Sequence, residues 1–359
     1  MPLLLAEAAH WGLALVPVLV LLAIFTWLDA FKLMSFREIL VLLILGGVAA
    51  IAVYPISGRL IDTLPIGFSN YSRYLAPWVE EAFKAAIVIM LFGFNRIGYK
   101  LDAVISGFAI GAGFSVVENI IYLTVYTNYG AGTWLVRGLG TAVMHGTTLA
   151  ILAAIAHELA ERETREAASD FNFGPWWFVP GFLIAVALHT AFNQFPDRPL
   201  LAMLGAAMFA PIALMAIFNF GTSEAQSWLV AERAEHKAQL EALRAGRWPE
   251  SPSGERIAAL GQRLGPEVTA GFRRYWELQA FLVGEAEETL LEEAAGDAEY
   301  DPVALRSAFA ERDALRRSLG PSTFAQLNHL LPFSRNDEWE LSELKQRLER
   351  DGKAKHKPA

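Results

Sequence analysis

Up to about position 220 the chain is written in long apolar runs, and beyond it apolar residues return only every third or fourth position among charged ones. Seven runs reach the roughly 20 helical residues that cross a hydrocarbon core: 7–29, 38–57, 73–94, 103–126, 134–157, 176–195 and 199–220. The remainder reads as amphipathic helices. Trp228, Leu229, Leu240 and Leu243 mark one, and others fit 254–264, 267–294, 303–319, 322–331 and 337–350. Asp301 before Pro302 has the form of an N-cap and first helical position, and Gly320-Pro321 stops one helix ahead of the next. There is no strand alternation and no repeat of 20 to 50 residues. The expected fold is all-α: a multi-pass transmembrane bundle of about seven spans over 1–220, then a soluble helical domain over 221–359.

Composition agrees with that division. Over 359 residues the chain is 54% hydrophobic, with a mean hydropathy of +0.32. The net charge of −8 belongs mainly to the tail, and apart from Lys353, Lys355 and Lys357 no basic stripe stands out, which argues against a nucleic-acid partner. The absence of cysteine excludes disulfides, thiolate metal sites and a cysteine nucleophile. No Lys or Arg precedes Lys32, so the basic start of a cleaved signal peptide is lacking and the first run is expected to be a retained span. Lys32 and Arg37, Arg96 and Lys100, and Arg162 and Arg165 fall in alternate loops on the same side as the tail. Arg59, Arg73, Arg137 and Arg198 fall on the other. Positive charge favours the cytoplasmic side, so the expected orientation in the cell membrane has the N-terminus outside and the C-terminus inside.

Against this apolar background a few polar residues stand out. The third run carries Glu80, Glu81 and Lys84, although one charge at mid-bilayer costs about 2.5 to 3.5 kcal/mol even on a lenient scale. Lys84 is one helical turn from either glutamate. The two glutamates point about 100° apart, so they are not expected to aim at one target. The fourth run holds Glu118 and Asn119, the fifth His145, and the sixth His189 and Asn193. At about 1.5 Å of rise per residue, Glu81, Glu118, His145 and His189 lie roughly 9 to 16 Å from the outer ends of their spans, in one layer. Gly107 and Gly111 make a small-xxx-small stripe that lets helices approach closely and brings Glu118 toward its neighbours. A carboxylate that takes a proton from water, with imidazole and carboxamide donors for the developing oxyanion, suits amide hydrolysis. The same groups are ordinary ligands for a divalent metal such as zinc, with Glu81, Glu118, His145 and His189 as candidates. The residues leave both mechanisms open.

These residues form an ordered series. Glu80-Glu81-Ala82-Phe83-Lys84 fits E-E-x-x-K, Phe114 to Asn119 fits F-x-x-x-E-N, His145 follows in a separate run, and His189 and Asn193 close it. Over residues 73 to 195 the chain resembles the PrsW family of intramembrane proteases, a branch related to the prenyl-protein and bacteriocin-processing proteases. The resemblance implies a multi-pass hydrolase whose centre contains Glu80, Glu81, Glu118, His145, His189 and Asn193, acting on a membrane protein or membrane-tethered peptide, with a role in regulated proteolysis. Its relatives are described both as metal-dependent and as glutamic-type enzymes. Within this set Glu81 is the expected base, with Glu80 and Lys84 orienting or neutralising it.

Other readings fit these residues less well. His157-Glu158 is followed by Glu161 where an H-E-x-x-H site needs histidine, and His157, Glu158, Glu161 and Arg162 read as a solvated helix end. A proton-coupled transporter would use similar residues, but the nearly apolar stretches 87–94 and 103–110 count against a conducting path. A non-catalytic scaffold is the third reading. On the leading one, cleavage takes place in the bilayer near its outer leaflet, and the tail recruits a cytoplasmic partner.

Overall fold

The structure, a computed structural model, describes residues 36–125, 136–167, 174–195, 198–295 and 300–354, with scattered positions before and between them. Most of the run at 7–29 lies outside the described residues. What is described is helical, with no strand: α1 (Phe36–Thr63), α2 (Ala76–Gly93), α3 (Lys100–Val125), α4 (Ala142–Ala167), α5 (Phe178–Phe192), α6 (Pro199–Arg244), α7 (Pro252–Leu264), α8 (Pro266–Ala295), α9 (Pro302–Leu319), α10 (Pro321–Asn328) and α11 (Arg335–Ala354). Among the described residues, four helical stretches are long and apolar enough to cross a membrane: Phe36–Thr63, Lys100–Tyr122, Val136–Glu161 and Pro175–Phe192. A shorter apolar stretch spans Pro199–Ala210, and α2 is 18 residues long with its three charged side chains inside it. The chain divides into two compact units, residues 1–162 with 173–222 and residues 163–172 with 223–359. α6 differs from the sequence expectation. It continues through Gly221 as one helix to Arg244, because a lone glycine costs a helix only about 1 kcal/mol, too little to end it.

In the first unit, small residues decide which helices touch. A Cβ on Gly113 would lie 2.0 Å from the Leu43 carbonyl oxygen, and one on Gly111 would lie 2.1 Å from the His145 carbonyl oxygen. Both α1 and α4 therefore meet α3 backbone to backbone, and the second contact holds His145 against the helix that carries Glu118. Ala49, Ala50, Val53 and Phe114 fill the α1 side of this contact.

Near its start α3 is tied down by polar residues. The Asp102 carboxylate accepts from the amides of Gly98 (3.0 Å) and Tyr99 (3.1 Å), and His157 Nε2 donates to the Gly98 carbonyl (2.9 Å). Lys100 pairs with Glu158 at 2.8 Å. His157 is thus buried rather than part of a solvated helix end. Four residues sharing a polar pattern could not show that one of them turns inward to cap a neighbouring loop.

The second unit is organised around α8, whose faces enter two apolar clusters. Phe272, Tyr275 and Trp276 pack with Leu243, Ile257, Phe324 and Leu327, while Leu282 and Val283 pack with Leu305, Phe309, Leu341 and Leu344. Asp301 accepts from the amides of Val303 and Ala304, as its place before Pro302 predicts. Three helices also meet at a buried polar tie. His236 Nδ1 lies 2.7 Å from Glu287 Oε1, His236 Nε2 lies 3.8 Å from Asp337 Oδ2, and Phe333 stacks on the imidazole. Asp337 also caps α11 in a reciprocal pair with Ser334: each backbone amide donates to the other residue's side chain.

Burial pushes the Asp337 carboxyl up from 3.8 to about 6, against the opposing pull of His236 and Ser334. An acid with a raised folded pKa binds its proton more tightly when folded. Its contribution to stability is therefore complete below about 3.8 and lost as pH rises through about 6. The hydrogen-exchange protection factors of residues 335–354 are accordingly expected to be larger at pH 5 than at pH 7.5. Asp337→Asn, which keeps a cap, should flatten that difference; an unchanged pH dependence in the variant would discount the carboxyl.

Candidate active site

Two π-helical turns, Tyr71–Leu75 and Val136–Thr141, lead into α2 and α4, the helices that carry Glu80, Glu81, Lys84 and His145. Such turns widen the backbone and leave carbonyls for other donors. Asn193 Nδ2 donates to the Ser72 carbonyl (2.9 Å) and Asn119 Nδ2 to the Arg137 carbonyl (3.1 Å). The two asparagines therefore hold the entries of α2 and α4. Asn193 meets a backbone turn here, whereas the sequence reading placed it among the oxyanion donors.

The remaining candidates converge. Glu81 is fully buried, and its Oε1 accepts from Lys84 Nζ at 2.6 Å, from His189 Nδ1 at 2.9 Å and from the Thr148 hydroxyl at 3.4 Å. Lys84, also fully buried, is 2.8 Å from His145 Nδ1 and sits over the Phe114 ring at 4.8 Å. Glu118, about one-fifth exposed, lies 3.2 Å from Arg137 Nη2 and 3.4 Å from His145 Nε2. The two imidazoles meet edge to face, their centroids 4.8 Å apart. Residues from α2, α3, α4 and α5 thus share one cluster, as their common depth in the sequence predicts.

Donor and acceptor chemistry fixes the imidazole tautomers. A lysine ammonium only donates, so His145 Nδ1 accepts and its Nε2 carries the hydrogen toward Glu118. Ionised Glu81 only accepts, so His189 Nδ1 carries its hydrogen and Nε2 keeps a lone pair. That lone pair faces Glu80 Oε2 at 3.8 Å, an oxygen that is buried and has no hydrogen-bond partner. Glu81 and Glu118 each have a lysine or arginine within ion-pair distance, while Glu80 has none among the described residues.

This corrects one expectation. Glu80 and Glu81 do reach one target, the His189 ring, because an imidazole offers nitrogens on two edges and so spans the angle between neighbouring helical positions. Two partners were missed at the sequence level. Arg137 counted only as a topological charge, although an arginine near the depth of Glu118 is a natural counter-ion. Thr148 carried no signal beyond standing one turn from His145.

Two lone-pair atoms that face each other call for a proton, a water hydrogen or a cation between them. Glu80, His145 and His189 each offer a ligand atom, all within 4.8 Å of one another, and one carboxylate with two imidazoles is an ordinary zinc donor set. Glu80 Oε2 and His189 Nε2 already present lone pairs there, and His145 would join them on losing its Nε2 hydrogen, so the residues fit a divalent metal whose binding releases a proton. His236, Glu287 and Asp337 form a second such trio, in which Glu287 already holds the imidazole and Asp337 caps a helix.

A family described as PrsW family intramembrane metalloproteases matches residues 4–219, well over half of the chain. No curated protein and no solved structure matches it.

Proposed function

This chain belongs to the PrsW family of intramembrane proteases, and from that premise we propose that it hydrolyses a peptide bond of a membrane protein or membrane-tethered peptide with Glu80 as the working carboxylate. The observation that carries this assignment is the unpartnered Glu80 oxygen facing the His189 lone pair. Glu81, which sequence reasoning favoured as the base, is engaged by three donors on Oε1, and its unpartnered Oε2 belongs to a side chain with no exposure. A carboxylate so held orients its neighbours. Glu80 and Glu118 are partly exposed, at 13% and 20% of their side chains, so the cluster is open along that edge.

In the reaction Glu80 accepts a proton from water as the oxygen attacks the scissile carbonyl, and returns it to the amine nitrogen as the C–N bond breaks. Glu81 holds His189 in the tautomer whose Nε2 keeps a lone pair, while Lys84 and Glu118 hold His145 in the other one, with its hydrogen on Nε2. Arg137 pairs with Glu118 at the more exposed edge. Asn193 is a positioning residue through Ser72. Glu80, His145 and His189 would hold the divalent ion that the family description implies, and such an ion supplies Lewis-acid polarisation of the carbonyl and acidification of water. The whole is a bundle of about seven spans with its N-terminus outside, and the second unit is a soluble cytoplasmic domain that recruits a partner or substrate. Regulated proteolysis is the setting this supports.

The test uses the full chain purified in detergent with membrane-spanning peptides, and its metal content measured. Wild type should cut, and His189→Ala should not. Loss of cutting in a strong chelator, restored by zinc or another divalent ion, would assign the metal. Equal cutting by wild type and His189→Ala would sink the assignment of this cluster.

A further inference from the structure

Beside the cluster, between α4, α5 and α6, lies a cavity of about 380 Å³, within the range of sites that enclose organic ligands. Its lining is almost entirely apolar, with Leu188, Phe192 and Phe209 among its walls. Two threonines, Thr147 and Thr148, stand among the lining residues. Thr148 also contacts Glu81 Oε1 at 3.4 Å, which places the cavity one side chain away from the catalytic groups. The Thr147 hydroxyl is buried and has no hydrogen-bond partner. Leaving such a group unsatisfied is unfavourable, and a bound group with a backbone amide or carbonyl would satisfy it.

Resting on the reading of this protein as a protease, we propose that the cavity is the subsite for a large apolar side chain of the substrate, Leu, Met or Phe, next to the scissile bond, and that Thr147 binds the peptide backbone there. An acyl chain would also suit the walls. It has no donor or acceptor for Thr147 and no reason to lie against the residue that touches Glu81, so the peptide is the better occupant. Side-chain selection in an otherwise apolar bilayer follows from fit, since the cavity rewards bulk where the surrounding lipid is neutral to it.

Gly205 lines the cavity, and a Cβ built there meets nothing within 4 Å. Gly205→Phe can therefore narrow the subsite without forcing the backbone, and leaving glycine raises helix propensity. The experiment maps new protein N-termini in membranes of cells that express wild type, Glu80→Gln, Gly205→Ala or Gly205→Phe. Among cuts that need Glu80, one fixed position beside the bond should be rich in Leu, Met and Phe. In Gly205→Phe, cuts with those residues should fall roughly tenfold or more, while cuts with Ala or Gly there stay within about twofold, because pocket fit is worth that much. Gly205→Ala should resemble wild type. If Glu80-dependent cuts exist but show no such preference, or Gly205→Phe lowers all of them equally, the subsite is wrong and the protease stands. If no cut depends on Glu80, the catalytic assignment fails and this inference falls with it.

Discussion

Replacing Glu80 by glutamine is expected to lower peptide cleavage by at least about 10² to 10⁴, the range that a positioned acid–base group contributes, while leaving the melting temperature near that of wild type. The argument is one of unequal engagement. Glutamine matches glutamate in shape but cannot take a proton from water and is a poor metal ligand. Glu80 forms no ion pair with Lys or Arg among the described residues, so removing its charge strands nothing. The loss should appear in kcat rather than in KM, since Glu80 is assigned to the reacting water and not to uniform substrate binding. Activity within threefold of wild type would return the role of base to Glu81 or Glu118.

The largest effect on stability is expected at Lys84. Lys84→Met deletes the cation 2.6 Å from a fully buried Glu81 carboxylate, and breaking a buried pair from one side costs on the order of 3 to 5 kcal/mol. It also removes the donor that sets the His145 tautomer, so cleavage should be lost together with folded protein. Glu81→Gln combined with Lys84→Met removes both charges and should recover much of the stability, because an apolar or neutral replacement of a whole buried pair is often nearly neutral. Folded protein recovered from detergent, read by thermal melting, would show the difference between the single and double variants. A stable Lys84→Met would mean that Glu81 is neutralised by another route. Taken together, the Glu80 and Lys84 variants separate chemistry from scaffolding, the one losing turnover alone and the other losing both.

The helical character of the chain, most of its helix positions and the identity of its unusual residues were legible in the sequence. The run at 103–126 and the helix Lys100–Val125 coincide within a few residues, as do 303–319 and Pro302–Leu319, because apolar periodicity and Pro or Gly boundaries are local properties. The convergence of Glu118, His145 and His189 could be anticipated from depth, since rise per residue converts position into height. What depth could not supply was azimuth. Whether a side chain at the right height turns toward its neighbours depends on how each helix is rotated, and here close backbone contacts set that rotation. Gly111 brings α3 and α4 together, and Gly113 does the same for α3 and α1.

For this protein, then, local pattern was enough to determine the all-helical architecture, the charged layer inside an apolar bundle and the family, because each depends on residue type and spacing along one chain. Only the tertiary structure decided which carboxylate is engaged and which is open. Lys84 stands within reach of both glutamates in sequence, and the choice of Glu81 followed from where His189, His145 and Thr148, each on a different part of the chain, placed their donors. Hydrogen bonds saturate, and which oxygen is saturated is settled by partners that sequence separation hides.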